Sequence, residues 1–202
     1  TLHIELDFID LGGGFGVPEK IDEKPLPIHE VARKVVHAYE QRLASTPEIG
    51  DPILVIEPGR YIVSDAGILL ASVTHVKKSA KRFVGCDAGM NTLLRPALYG
   101  AYHEILPATK PDARKVWRAD VTGQICENTD IQGKNRRLPA LERGDLLAFL
   151  NCGAYGYTMA SRYNSRPLPS EVLIADGQAR LIRERETPQD LVRGQSPLSV
   201  SS

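Results

Sequence analysis

No stretch of these 202 residues stays apolar for the roughly 18 positions that a membrane span requires. No charged segment leading into an apolar one opens the chain, so no secretory signal is expected. Neither charge is in excess: Lys+Arg and Asp+Glu both number 25, and the formal net charge is zero. A nucleic-acid binder would show a basic surplus or stripe. The one basic turn, KKSAKR at 77–82, is too short and isolated to supply it. Cysteine is scarce. Cys86, Cys126 and Cys152 are an odd number at wide spacing, which argues against a disulfide framework and fits reduced thiols in the cytoplasm. No two of them have zinc-ligand spacing, and the five histidines do not cluster with them, so no metal is expected. No segment repeats.

What is present falls into two parts. Residues 3–11 read as a strand carrying Ile4, Leu6, Phe8, Ile9 and Leu11. In 26–45, Ile28, Val31, Val35, Ala38, Tyr39 and Leu43 recur near a 3.6 period, which predicts a helix. PILVIEPGR (52–60) is a continuous apolar run closed by Pro-Gly, as in a buried parallel strand. Strand, helix, strand makes a βαβ unit. Beyond about residue 66 come short β-like runs separated by turns, the last around the hairpin signal Asp176-Gly177. Thr187 and Pro188 read as the cap and first residue of one helical turn. The expected class is therefore α/β plus β. Residues 1–66 form the α/β part, 67–192 a mostly antiparallel β domain, and 193–202 a small, polar, disordered tail.

Both strands of the βαβ unit end in glycine-bearing loops, Gly12-Gly13-Gly14 and Pro58-Gly59. Parallel strands present their C-terminal ends on one side, so two such loops can offer backbone N–H groups to an anion. A glycine cluster alone fits a tight loop equally well. Glu57 and Arg60 flank the second loop, where charges face a site or pair with each other. Cys86 and Cys152 read as buried and structural. Met90, Trp117 and Tyr157 read as packing, and the histidines as surface or satisfied core residues.

The blocks IDLGGGFG, IEPGRYIVSDAGILLASV, DAGMNTLLRPALYGAYHEI, ICENTDI, GDLLAFLNCGAYGYTMASRYNSRP and PSEVLI occur in the order seen in the diaminopimelate decarboxylases. These are fold-type III, pyridoxal-phosphate-dependent enzymes, and the resemblance runs from about residue 8 to about 192. It implies that residues 1–66 are the C-terminal part of a (β/α)8 barrel. It implies that Gly12, Gly13 and Gly14 hold the cofactor phosphate and that Glu57, Pro58, Gly59 and Arg60 form a second cofactor loop. Glu57 resembles the carboxylate that pairs with the pyridine nitrogen. Arg60, Arg95 and Tyr99 resemble contacts to substrate carboxylates, Glu127 the acceptor of the distal ammonium, and Cys126 the proton donor. Tyr155 resembles a contact to both cofactor and substrate. The implied reaction is decarboxylation of meso-2,6-diaminopimelate to L-lysine and CO2, the last step of lysine biosynthesis, in a homodimer with shared sites.

The family's cofactor lysine lies on an early barrel strand. Lys20, Lys24, Lys34, Lys77, Lys78, Lys81, Lys110, Lys115 and Lys134 are the lysines here, and none ends an apolar strand in a comparable context. The family's cofactor-stacking histidine has no counterpart either. The chain is therefore expected to be a C-terminal fragment, inactive when isolated. Two alternatives stay open: a related decarboxylase of another amino-acid carboxylate from a siderophore or antibiotic pathway, and a non-catalytic homologue that binds a partner.

Overall fold

The computed structural model describes residues 5–196. The expected strand start at 3–4 and the tail end at 197–202 lie outside them. Strand β1 (Phe8–Asp10) pairs in parallel with β2 (Ile53–Val55), with Phe8 opposite Ile53 and Asp10 opposite Val55. Helix α1 (Ile28–Ser45) crosses between them. Pro27 stands just before it, and its ring disfavours helical geometry at Leu26, which stops extension upstream. Thr46 precedes Pro47 and leaves the helical region at φ −141°, ψ 61°, because the proline ring disfavours a helical residue before it. Ile28, Val31, Val35, Tyr39 and Leu43 form the half-buried stripe, while Ala38 is exposed. The Tyr39 hydroxyl donates to the Pro52 carbonyl and ties α1 to β2.

The apolar run at 52–60 departs from the expected buried strand. Only three of its residues are strand, and Ile53 is 70% exposed. A two-stranded sheet leaves the far face of each strand without a neighbour, and Phe8 is likewise 60% exposed. The run ends in a short helix, α2 (Gly59–Val63).

The second part centres on a six-stranded sheet. Its strands are β3 (Leu69–Lys78), β4 (Arg82–Cys86), β5 (Ile105–Pro107), β6 (Trp117–Thr122), β7 (Ile131–Leu138) and β8 (Leu146–Phe149), in the order β5-β8-β3-β4-β6-β7. All neighbours are antiparallel except β4 and β6. Ala71, Val73, Val84, Cys86, Val121, Leu138, Leu147 and Phe149 build one core with Leu93 and Leu141. Helix α3 (Arg95–Tyr99) stops at Gly100, whose φ of 65° is left-handed and free of cost for glycine. A separate hairpin, β9 (Glu171–Ala175) and β10 (Gln178–Arg183), turns on Asp176 and Gly177, both left-handed. Thr187 and Asp190 form a reciprocal capping box on α4 (Pro188–Leu191).

The two parts are fastened by backbone. Cys152 N donates to Gly67 O at 2.8 Å, and Gly153 N donates to Ser64 O at 3.0 Å. A Cβ on Gly67 would lie 2.6 Å from Gly153 Cα, so no side chain fits between the strands of chain there. Asn151 Nδ2 donates to Pro18 O at 2.7 Å. The segment after β8 is thereby laid across the loops after β1 and β2.

Candidate active site

The first cluster forms where β1 and β2 end. Glu57 N donates to Gly12 O at 2.8 Å, and Gly59 N donates to Glu57 O at 2.9 Å. Gly12 and Gly14 have φ values of 69° and 83°, the left-handed region that glycine enters without strain. A Cβ on Gly13 would stand 2.7 Å from Glu57 O, so the two loops touch at their backbones. Phe15 packs edge-on against Tyr61 of α2, ring centroids 6.4 Å apart. The Gly12 N–H is already used, donating to Asp10 Oδ1 at 2.8 Å. The N–H groups of Gly13 and Gly14 have no partner among the described residues. Of the three glycines, these two are the ones with donors left for an anion.

Tyr155 reaches this cluster from the β part. A Cβ on Gly59 would lie 3.9 Å from its hydroxyl. Tyr155 has φ +58° and its side chain is 48% exposed. An aromatic residue held left-handed carries backbone strain of order 1 kcal/mol, and the Gly67–Gly153 contact just before it supplies the restraint. Glu57 is exposed and Arg60 half-buried at the start of α2.

Arg95 and Tyr99 share α3. Arg95 has a partner that sequence reasoning missed. His103 is fully buried, its Nδ1 lies 2.8 Å from Leu150 O, and its Nε2 lies 3.4 Å from Arg95 Nη1. A carbonyl only accepts, so Nδ1 carries the proton and Nε2 accepts from the guanidinium. Burial lowers the His103 pKa, the Leu150 carbonyl opposes this, and the Arg95 charge lowers it further. The ring is thus kept neutral beside the arginine. Its stability effect follows in sign. An unfolded histidine protonates near pH 6.5, before the folded one does, so stability falls as pH drops below that value. Urea midpoints at pH 7 and pH 5 should differ less in His103→Asn than in wild type; equal losses would contradict the buried neutral ring.

The second cluster lies on the loop between β6 and β7. Tyr163 donates to Glu127 Oε1, and Asn164 Nδ2 donates to Cys126 Sγ at 3.4 Å. Cys126 is exposed, whereas burial pushes the Cys86 and Cys152 thiols up to about 12. No hydrogen bond or ion pair among the described residues links Cys126 or Glu127 to the glycine loops. Direct contacts thus join Gly12, Gly13, Gly14, Glu57, Pro58, Gly59 and Tyr155, whereas Cys126 and Glu127 take theirs from Asn164 and Tyr163. Trp117 and Tyr157 each carry a stacked arginine, Arg82 at 4.0 Å and Arg183 at 4.6 Å. Among the described residues no group of three His, Cys, Asp or Glu could hold a metal ion, and no helix is long and apolar enough to cross a membrane.

Converging glycine loops at the ends of parallel strands are where α/β proteins place phosphorylated cofactors, and here such a unit leads into a mixed sheet. Two family models match these two parts: the pyridoxal binding domain of pyridoxal-dependent decarboxylases over residues 1–64, and their C-terminal sheet domain over 60–153. The chain belongs to the pyridoxal-dependent decarboxylases. It is 48% identical to the diaminopimelate decarboxylase of Methanothermobacter thermautotrophicus, over 96% of this chain and 45% of that protein. The crystal structure of the Methanocaldococcus jannaschii diaminopimelate decarboxylase superposes with a TM-score of 0.84 at 37% identity, covering 96% of this chain and 44% of that one. The Helicobacter pylori enzyme, solved in complex with L-lysine, gives 0.79 at 41% identity, covering 93% and 44%. The chain spans about half the length of the curated relatives it matches.

Proposed function

We propose that this chain is the C-terminal portion of a cytoplasmic diaminopimelate decarboxylase, which removes one carboxyl group from meso-2,6-diaminopimelate to release L-lysine and CO2. The observation that carries the reading is the backbone contact between Gly13 and Glu57. It brings two glycine N–H donors and the backbone of Glu57 to one spot, and Tyr155 is brought against Gly59 beside them. That donor set fits pyridoxal phosphate: backbone N–H groups for the phosphate, an anion for the ring nitrogen. The Helicobacter pylori relative's complex with L-lysine supports the product.

When bound, pyridoxal phosphate supplies the electron sink for the bond to the departing carboxyl group. The chain's own residues do the rest. Gly13 and Gly14 hold the phosphate, with Gly12 closing the loop onto Glu57. Glu57 keeps a proton on the ring nitrogen, and Pro58 and Gly59 let the backbone come close. Tyr155 bounds the site on the side of the β part. Arg60, Arg95 and Tyr99 bind substrate carboxylates, Arg95 being held in place by His103. Glu127 accepts the distal ammonium, and a substrate without the distal carboxylate leaves Arg95 unpaired. Cys126 holds a proton at Sγ and returns it to the substrate carbon after CO2 leaves.

The exposed apolar faces of β1 and β2 fit the remainder of a (β/α)8 barrel, and the cofactor lysine comes from outside these 202 residues. That Cys126 and Glu127 are held by Asn164 and Tyr163, with no hydrogen bond to the glycine loops among the described residues, fits a homodimer in which they serve the neighbouring subunit. The test is to supply the natively encoded polypeptide with pyridoxal phosphate and meso-diaminopimelate. Equimolar L-lysine and CO2, from a species of twice the polypeptide mass by sedimentation, are expected. Turnover of ornithine but not diaminopimelate would contradict the reading.

A further inference from the structure

The loop carrying Cys126 and Glu127 is fixed at its base by one buried carboxylate. Asp130 accepts from Met90 N at Oδ1 and from Ile125 N at Oδ2, both at 2.7 Å, and from Gln132 Nε2 at 3.1 Å. Gly89 leaves it room: a Cβ there would stand 2.8 Å from Asp130 Oδ2. The tip of the loop is met by a second segment, residues 161–168. That segment is pinned at both ends. Ser161 N donates to Asn91 O at 2.8 Å. Arg162 binds both oxygens of Glu186, with Nη2 at 2.6 Å from Oε1, and Leu168 N donates to Glu186 Oε2 at 3.0 Å. Between the pins, Asn164 and Ser165 are both left-handed at φ 54°. Two successive non-glycine residues in that region are costly and persist only where the surroundings hold them.

This turn sets two adjacent side chains on two adjacent partners: Tyr163 on Glu127, Asn164 on Cys126. The Glu127 bond raises the Tyr163 pKa, so the phenol stays a donor and directs one carboxylate oxygen. Glu127 Oε2 is left to face a ligand. The Asn164 amide gives the Cys126 sulfur a fixed donor on one side and so sets where Sγ stands.

We propose that Tyr163 and Asn164 are positioning residues that preset Glu127 and Cys126, the first for reading the substrate ammonium and the second for proton delivery. This rests on the decarboxylase reading above. The two neighbours act on different kinetic constants. Tyr163→Phe frees the Glu127 carboxylate to rotate, and raises KM about tenfold with kcat unchanged. Asn164→Asp keeps a residue type that tolerates the left-handed turn but replaces the donor with an anion. It lowers kcat about tenfold with KM unchanged.

A second readout needs no turnover. Burial pushes the Cys86 and Cys152 thiols up to about 12, so they stay silent to iodoacetamide at neutral pH, and mass mapping of the peptide that carries Cys126 reads its alkylation alone. In the natively encoded protein, Asn164→Asp slows alkylation of Cys126 several-fold, Asn164→Gly slows it less, and Tyr163→Phe leaves it within twofold. Alkylation equal in all four proteins overturns the inference, as does an active wild type whose two variants change neither KM nor kcat. A wild type without decarboxylase activity, but with alkylation sensitive to Asn164, overturns the functional reading and leaves the contact to Cys126 standing.

Discussion

Glu57→Gln is expected to lower kcat by about a hundred- to a thousandfold, the loss that follows removal of one preorganised electrostatic group in other enzymes. Glutamine is nearly isosteric and keeps the backbone bonds of Glu57 to Gly12 and Gly59. It lacks the charge that, in the proposed site, holds a proton on the ring nitrogen. The cofactor's affinity depends mainly on the phosphate loop, so it should change by less than about tenfold, an estimate that treats a single lost charge–charge contact in a wet site as worth about 1 kcal/mol. Steady-state kinetics and a spectroscopic titration with pyridoxal phosphate separate the two effects. A variant with normal kcat, or one that loses cofactor binding before turnover, would show that Glu57 has another role.

Gly13→Ala should act the other way round, on cofactor affinity first. Its new methyl group would meet the Glu57 carbonyl 2.7 Å away. The obstacle is backbone, so the two loops must move apart, and the Gly12 O to Glu57 N bond goes with them. Overpacking of this kind costs about 1–3 kcal/mol, which corresponds to about five- to 140-fold in the dissociation constant of pyridoxal phosphate. Alanine at Gly16, where an added Cβ meets nothing within 4 Å, should leave that affinity within twofold. Equal affinities for the two alanine variants and wild type would mean that the loops do not hold the phosphate.

The sequence made some of this legible because the signals were local. The 3.6 period from Ile28 to Leu43 marks α1, Asp176-Gly177 turns the last hairpin, and Thr187 caps α4, each through chemistry within its own segment. The strands β5 and β7 carry no such local signal. β5 has three residues. β7 is IQGKNRRL, in which Gln132 and Gly133 are buried side by side and the pairing with β6 shifts register twice, so no alternation survives. The exposure of β2 was illegible for another reason: an apolar run reports what a strand is suited to pack against, not what lies beside it in the chain. In the candidate site, Gly12 to Gly14 and Glu57 to Arg60 stood out as strand-end loops. His103 did not, because its two partners, Arg95 and Leu150, come from different elements. Tyr163 and Asn164 lay inside a quoted block without a role, since only the fold brings them to Glu127 and Cys126, more than thirty residues earlier.

The central claim is that this chain supplies phosphate loops and substrate-reading residues to a decarboxylase whose covalent lysine lies elsewhere. The most direct test is borohydride reduction of the natively encoded protein in the presence of pyridoxal phosphate, followed by peptide mass mapping. One pyridoxyl group per polypeptide, on a lysine outside these 202 residues, is the predicted result. A pyridoxyl group on any of the nine lysines of this chain, or none on the polypeptide at all, would contradict it.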